Sequence, residues 1–239
     1  MKLLSLDTST QRFSLAISQG EDILGYRNIR LPRVLSSSLM PSIQKILEKS
    51  HMAFSELDGF AVGLGPGSFT SLRVGLAAVK GLALATNKPV VGISSLDVLA
   101  MGVPVKEAAI CTICDARRGF LYACLYQKSQ GRLQCRMNYI LVSLAEILKQ
   151  IKGDIIFVGD GIKLFREEIG MTKGIKPHFT AEKFWYPQAR FLASLALKRF
   201  LDEKTDDVKK LTPIYLYPED CQVSKDPKKP RAERLMSPR

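Results

Sequence analysis

Residues 65–75 read GPGSFTSLRVG, and this stretch decides the fold of the first half of the chain. An apolar run at 60–62 precedes it and a helix-like run at 72–85 follows, so the predicted order is strand, glycine-rich turn, helix. Pro66 prevents continued strand pairing, and Ser68 is the expected N-cap of the helix. Such a turn either points N–H groups at an anion or is a plain corner, and spacing alone leaves both open. It is not a Walker A loop, because no Gly-Lys-Ser/Thr follows the glycines.

Composition places the chain in the ordinary globular class. It has 239 residues, 46% hydrophobic and 24% charged, with a formal net charge of +12. Apolar runs are too short for a membrane span, the first residues resemble a strand rather than a signal peptide, and five cysteines without disulfide-like spacing suit a reducing compartment. These features predict a cytoplasmic protein that does not bind membranes.

Part of the positive charge is concentrated at the C-terminal end. Residues 225–239 carry six Lys or Arg against two Asp or Glu, interspersed with prolines. This composition predicts a basic, flexible tail over 219–239. The remaining body is also basic and could attract nucleic acid.

The two halves of the chain share one order of elements. Strand-like runs at 3–6, 13–18 and 22–29 precede a helical stripe from Leu35 to Leu47, which is kinked at Pro41 or begins there. A strand at 58–64, a helix at 69–86 and a strand at 89–93 follow. In the second half, strands at 108–114, 119–127 and 132–141 precede a helical stripe at 144–151, a strand at 154–158 and a helix to about 169. A last helix is predicted over 187–203.

Two copies of strand-strand-strand-helix-strand-helix predict a duplicated α/β fold with domains at 1–103 and 104–218. This is the plan of the actin-like, ribonuclease H-like (ASKHA) superfamily, whose ATP-binding members clamp the nucleotide between the halves. The turns after the two first strands would hold phosphates, which makes Asp7, Thr8 and Asp115 candidate nucleotide-binding residues. The first turn lacks glycine and the second has two arginines, so the sequence argues against intrinsic ATP hydrolysis. Asp7 faces a magnesium ion or is a strand-end carboxylate that accepts nearby N–H groups.

Other catalytic and metal-binding patterns are missing. The only two histidines, His51 and His178, are far apart in sequence, which argues against a histidine metal centre. Cys111 and Cys114 lie three apart in a predicted strand and therefore on opposite faces, as core thiols do. Ser68 lacks a Gly-x-Ser-x-Gly context. We therefore expect no catalytic residue and no bound metal.

The predicted helix 69–86 is apolar on nearly every face. One side must pack on its own sheet, and the other requires either a further layer of the same domain or another subunit. A two-layer half would leave that second face open, which favours an intersubunit interface.

These residues resemble the TsaB (YeaZ) family. GPGSFTSLRVG is similar to the family signature GPGSFTGLRIG, and ordered similarities follow at residues 4–10, 39–41, 92–96, 115–118 with Tyr122, and 213–216. The chain departs from the pattern at Leu35, Ser71 and Tyr217, where histidine, glycine and arginine are usual.

The resemblance implies a non-catalytic subunit that pairs with the catalytic TsaD protein. With the ATPase TsaE, the pair supports threonylcarbamoyl transfer to the adenosine beside the tRNA anticodon. The resemblance implies that the isolated chain binds no cofactor, and that ATP or ADP binds at the junction of the complex. It also implies that contact with tRNA is indirect or weak. The first two helices of the family form the surface for TsaD or for a second copy in a homodimer. In this chain that surface would include Leu39, Ile43, Ser68, Leu72, Gly75, Leu76, Ala78, Val79 and Leu82. The alternative is an autonomous ATP-binding phosphohydrolase or kinase.

Overall fold

The computed structural model describes residues 1–30 and 35–217. The described residues form two compact units, one of Met1–Pro104 with Lys183–Ile214, and one of Val105–Glu182 with residues 215–217. We call them unit 1 and unit 2. The expected tail, residues 219–239, lies outside the described part of the chain.

Unit 1 begins with five strands and three helices. They are β1 (Lys2–Asp7), β2 (Arg12–Gln19), β3 (Asp22–Arg30), α1 (Leu35–Lys49), β4 (Gly59–Gly63), α2 (Phe69–Thr86), β5 (Val90–Ile93) and α3 (Ser95–Met101). Unit 2 contains β6 (Ala108–Arg117), β7 (Phe120–Ser129), β8 (Arg132–Cys135), β9 (Ile140–Ser143), α4 (Leu144–Leu148), β10 (Gly153–Val158), α5 (Ile162–Gly170) and β11 (Ile175–Phe179). The last helix, α6 (Ala189–Leu201), returns to unit 1.

The sheet of unit 1 has the order β3-β2-β1-β4-β5. The first three strands are antiparallel, and β4 and β5 extend the sheet in parallel with β1. Alternation along β1 directs Leu4 and Leu6 into a core with α1 and α2, and Leu3 into a second core with α6. Unit 1 therefore has helices on both faces of its sheet.

Unit 2 repeats this topology. Its sheet has the order β11-β10-β6-β7-β8, with β9 also paired to β7, so its strands follow the same path as those of unit 1. The predicted single strand at 132–141 is wrong: β8 and β9 pair with the same edge of β7 but are interrupted between them. Cys135 pairs with Tyr126 and Ile140 pairs with Ala123. The first residues of these two pairs are five positions apart, but their partners on β7 are only three positions apart, so the extra residues interrupt the pairing.

The predicted second domain, 104–218, also requires correction. Residues Lys183–Ile214 belong to unit 1, because α6 buries Leu192, Ala196 and Phe200 against the first sheet. Helix α3 and strand β11, two short elements, were not predicted from the sequence. Helix α1 begins at Leu35, so Pro41 lies inside it rather than at its start.

Candidate functional site: the strand-end turns and the outer face of helix α2

The glycine turn after β4 is fastened to the junction of β5 and α3. The Gly65 carbonyl accepts the Ser95 N–H at 2.8 Å and the Ser94 hydroxyl at 3.3 Å, and the Gly65 N–H donates to Ser95 Oγ at 3.1 Å. Gly65 has a φ of 86°, in the left-handed region that glycine adopts without steric cost. The turn is therefore a rigid part of unit 1.

The turn packs directly on the segment that follows β1. The Ser68 N–H donates to the Ser9 carbonyl at 2.7 Å, and a Cβ on Gly67 would collide with that same carbonyl. Thr8 Oγ1 donates to the Ser71 carbonyl at 2.8 Å, and the Thr8 side chain fills the space that a Cβ on Gly75 would need. Ser68 is the N-cap residue, as predicted, but its hydroxyl bonds the Ser71 hydroxyl at 3.0 Å instead of a backbone N–H. The Ser68 N–H, which the sequence made a candidate for binding an anion, therefore donates to a protein carbonyl instead.

Asp7, the candidate magnesium-facing residue, is 1% exposed. Its Oδ1 accepts the Ser9 N–H at 2.9 Å and the Ser9 hydroxyl at 2.7 Å, and its Oδ2 accepts the Ser95 hydroxyl at 2.6 Å. Burial raises the pKa of Asp7, although the bonds from Ser95 and Ser9 act in the opposite direction. The two carboxyl oxygens therefore connect the end of β1 to the residues that follow it and to the start of α3.

The corresponding turn of unit 2 is built differently. Asp115 accepts the Arg117 N–H at 2.7 Å and forms an ion pair with its guanidinium at 3.3 Å. The backbone of Arg117, Arg118 and Gly119 has φ values of 71°, 56° and 84°, and the two arginines are strained there. The Tyr217 hydroxyl donates to the Ala116 carbonyl at 2.6 Å. Tyr217, a departure from the family pattern, therefore stabilises this turn.

The Asp115 N–H donates to Asp160 Oδ1 at 3.0 Å, across to the turn after β10. Burial raises the pKa of Asp160. In that turn a Cβ on Gly159 would collide with the Ile113 carbonyl, just as one on Gly67 would collide with Ser9. Gly67 in the turn after β4 and Gly159 in the turn after β10 thus each pack against a backbone carbonyl, that of Ser9 just after β1 and that of Ile113 in β6.

Within 1–30 and 35–217, no group of three or more His, Cys, Asp or Glu side chains is placed to hold a metal ion. Cys111 and Cys114 are buried in β6, which confirms their prediction as core thiols. Burial raises the pKa of Cys111 to about 12.

The residues predicted for a partner interface separate into two sets. Six are buried inside unit 1 and support the helix pair from within: Leu39, Ile43, Leu72, Gly75, Leu76 and Val79. Three are accessible to solvent: Ser68, Ala78 and Leu82. The interface prediction therefore needs correction for the first six, because the apolar stripe with the largest side chains is the one that packs on the sheet.

The outer face of α2 consists of residues that the sequence analysis did not select. Phe69, Arg73, Ala77, Gly81 and Leu84 recur at helical spacing, and all are exposed. Phe69 and Leu84 are 53% and 55% exposed. A helical projection phased on the buried stripe could have identified this face, which we call the α2 outer face.

Helix α2 is long and apolar enough, by length and composition alone, to cross a membrane. Its buried stripe nevertheless packs on the sheet of unit 1, as the core helix of a globular unit does. On α1, which packs beside α2, Met40 is 42% exposed and adds to the exposed apolar area.

The repeated sheet order and the paired strand-end turns define a duplicated actin-like α/β protein. The family model of TsaD, tRNA N6-adenosine threonylcarbamoyltransferase, matches residues 32–222. The chain is 28% identical to the tRNA threonylcarbamoyladenosine biosynthesis protein TsaB of Escherichia coli K12 and 30% identical to TsaB of Bacillus subtilis 168. Each alignment covers 90% of this chain and 94% of the relative.

The solved structure of YeaZ from Pseudomonas aeruginosa superposes with a TM-score of 0.77 at 26% identity, over 90% of this chain and 99% of that one. The chain belongs to the TsaB (YeaZ) family of tRNA threonylcarbamoyladenosine biosynthesis proteins. The family resemblance and the fold class predicted from the sequence are thereby confirmed.

Proposed function

We propose that this chain is a non-catalytic subunit that pairs with a TsaD-type catalytic protein through the α2 outer face. The observation that carries the proposal is the exposure of Phe69, Ala77 and Leu84 on a helix whose opposite stripe is fully buried. An exposed face that is apolar apart from one cation, Arg73, is typical of a protein contact surface. The pair would act in the cytoplasm on the tRNA adenosine beside the anticodon.

The strand-end turns support an accessory role over autonomous ATP hydrolysis. Both oxygens of Asp7 already accept hydrogen bonds, and the backbone beside it is covered by Gly67 and Ser68. A magnesium ion at Asp7 would have to reach a carboxyl group that is 1% exposed and already accepts three hydrogen bonds. ATP or ADP at the junction with TsaD, and cooperation with a TsaE-type ATPase, remain parts of the proposal.

In the proposed mechanism, binding of this chain to TsaD is thermodynamically linked to the conformation of TsaD. Burying the α2 outer face stabilises only those TsaD conformations that present a complementary surface, so pairing shifts TsaD toward them. A homodimer of this chain would use the same face and would compete with TsaD.

The test is a matched pair of Gly→Arg substitutions. Gly81 lies on the α2 outer face with open space around its Cβ position, so Gly81→Arg adds a bulky charge without a clash inside unit 1. Gly170 at the end of α5 is equally open and lies in unit 2, so Gly170→Arg is the control. Gly75→Arg is unsuitable, because the Gly75 Cβ position is filled by Thr8 and the fold itself would be disturbed.

Each variant is mixed with TsaD from the same source, and the complex is measured by size-exclusion chromatography. Threonylcarbamoyladenosine formation on tRNA is then assayed with TsaC, TsaD and TsaE. We expect Gly81→Arg to lose both the complex and the product while Gly170→Arg keeps both. Normal pairing by Gly81→Arg would exclude the α2 outer face, and product formed without this chain would refute the accessory role.

A further inference from the structure

The face of unit 1 opposite α1 and α2 carries a cluster of cations and aromatic rings. It is formed by β2, β3 and the segment that leads into α6. Its cations are Arg12, Arg30 and Arg190, and its rings are Tyr26 and Tyr186. We call this set the arginine–tyrosine surface.

Arg12 anchors one end of this surface. Its Nε donates to Asn28 Oδ1 at 3.0 Å, and its Cζ lies 5.7 Å from the centroid of the Tyr186 ring. Arg30 lies directly opposite Arg12 in the β2–β3 ladder, and therefore on the same face. Two arginines therefore form a directly opposed pair at this end of the hairpin.

Arg190 forms the other end. Its Cζ lies 5.3 Å from the centroid of the Tyr26 ring. The Tyr26 hydroxyl donates to Gln188 Oε1 at 3.2 Å, and Gln188 Nε2 donates to the Lys183 carbonyl at 2.8 Å. These bonds connect the strand to the segment before α6, so the two ends belong to one built surface.

The electrostatics of this surface are unfavourable for the isolated protein. Like charges directly opposite on neighbouring strands destabilise a sheet, as Arg12 and Arg30 do here. Arg190 lies in the first turn of α6, where the helix dipole disfavours a cation, and that turn has no acidic residue. In the described ranges, none of the three arginines forms an ion pair with a carboxylate.

We propose that the arginine–tyrosine surface binds tRNA directly through its phosphate backbone. Guanidinium groups that stack on tyrosine keep their N–H edges available for phosphate oxygens, which is the contact that positions a nucleic acid. A bound phosphate chain would offset the like charges of Arg12 and Arg30. We take tRNA as the polyanion because the chain belongs to a tRNA-modification family.

The surface is separate from the interface proposed for TsaD. Arg12, Arg30 and Tyr26 lie on the α6 face of the sheet, whereas α2 covers the other face. Direct tRNA binding and TsaD pairing are therefore independent proposals, and each can fail alone.

The experiment measures binding of an unmodified tRNA transcript to the isolated full-length chain by fluorescence anisotropy between about 50 and 200 mM salt. The test variant is Arg12→Gln with Arg190→Gln. The control is Arg166→Gln with Lys163→Gln on α5, which removes the same charge. Arg166 also stacks on a ring, with its Cζ 4.8 Å from Phe179. Thermal melts verify folding, and ultraviolet crosslinking of the wild type maps contacts without any substitution.

We expect the test variant to bind tRNA at least about tenfold more weakly and to lower the salt slope by about 1.5, while the control changes little. Crosslinks are expected at Tyr26 or Tyr186, and the test variant is expected to pair normally with TsaD. Equal weakening by both variants, crosslinks confined to other segments, or no measurable tRNA binding would each overturn the proposal.

Discussion

The Ser95 hydroxyl donates to Asp7 Oδ2 at 2.6 Å, so a serine from the start of α3 binds the carboxylate at the end of β1. The same hydroxyl accepts the Gly65 N–H at 3.1 Å. Ser95 therefore joins the first strand, the glycine turn and α3 through one oxygen. This bond holds the Asp7 carboxyl group in a buried hydrogen-bond network.

Asp7 predicts a pH dependence of stability. Burial raises its pKa from 3.8, so between 3.8 and the raised value the folded protein holds a proton that the unfolded chain has released. The free energy of unfolding contributed by Asp7 therefore falls as pH rises through that window. We expect Asp7→Asn, which keeps an acceptor for Ser9, to lose this decline, as measured by denaturant unfolding at a series of pH values.

Asp154 supplies a control of opposite sign. Hydrogen bonds from His178 and Lys176 lower the pKa of this exposed carboxyl, so its contribution is present above the unfolded pKa and lost as pH falls. In the Asp154→Asn variant, the free energy of unfolding should therefore lose the part of its decline toward acid pH that Asp154 contributes. Identical profiles for wild type and Asp7→Asn would contradict our account of Asp7.

Two glycines of α2 should respond oppositely to alanine. A Cβ at Gly75 would collide with Thr8 Oγ1, so Gly75→Ala should destabilise the protein by about 1–3 kcal/mol, as overpacking does. Gly81 has nothing within 4 Å of its Cβ position, so Gly81→Ala should stabilise the helix by up to about 1 kcal/mol. Chemical denaturation measures both, and equal effects would mean that Gly75 does not face Thr8.

Tyr217→Phe tests the attachment of the C-terminal segment to the Asp115 turn. The substitution removes the hydroxyl that donates to the Ala116 carbonyl while it keeps the ring, which contacts Tyr122 edge-on at 6.1 Å between centroids. We expect a loss of about 0.5–1.5 kcal/mol in the free energy of unfolding, the usual net contribution of one hydrogen bond. An unchanged denaturation midpoint would show that this bond does not contribute in solution.

Thiol alkylation should discriminate between cysteines. Cys135 is exposed at the end of β8, whereas the buried Cys111 thiol has a pKa raised to about 12 and carries little thiolate at mildly alkaline pH. Iodoacetamide should therefore label Cys135 and spare Cys111, as read by peptide mass spectrometry. Denatured protein, in which both react, is the control, and labelling of native Cys111 would contradict its burial.

The periodicity of apolar residues was enough to predict an element whose pattern lies within its own residues. Alternation in β1 and β2, the turn at Gly65 to Ser68 and the apolar run of α2 each predicted the element that the structure contains. Short or irregular elements were missed or merged. Helix α3 has only seven residues, β11 contains Pro177, and the interruption between β8 and β9 depends on their register with β7.

The amino-acid sequence by itself determined the duplicated α/β plan and the family, because local residue patterns predict the plan and short motifs identify the family. Only the tertiary structure decided which side of α2 is free, which unit receives α6, and what binds Asp7. Those outcomes depend on pairs distant along the chain, such as Thr8 with Gly75 and Asp7 with Ser95. A hydrophobic pattern shows that a side chain must be buried, but only packing in three dimensions selects the surface against which it is buried.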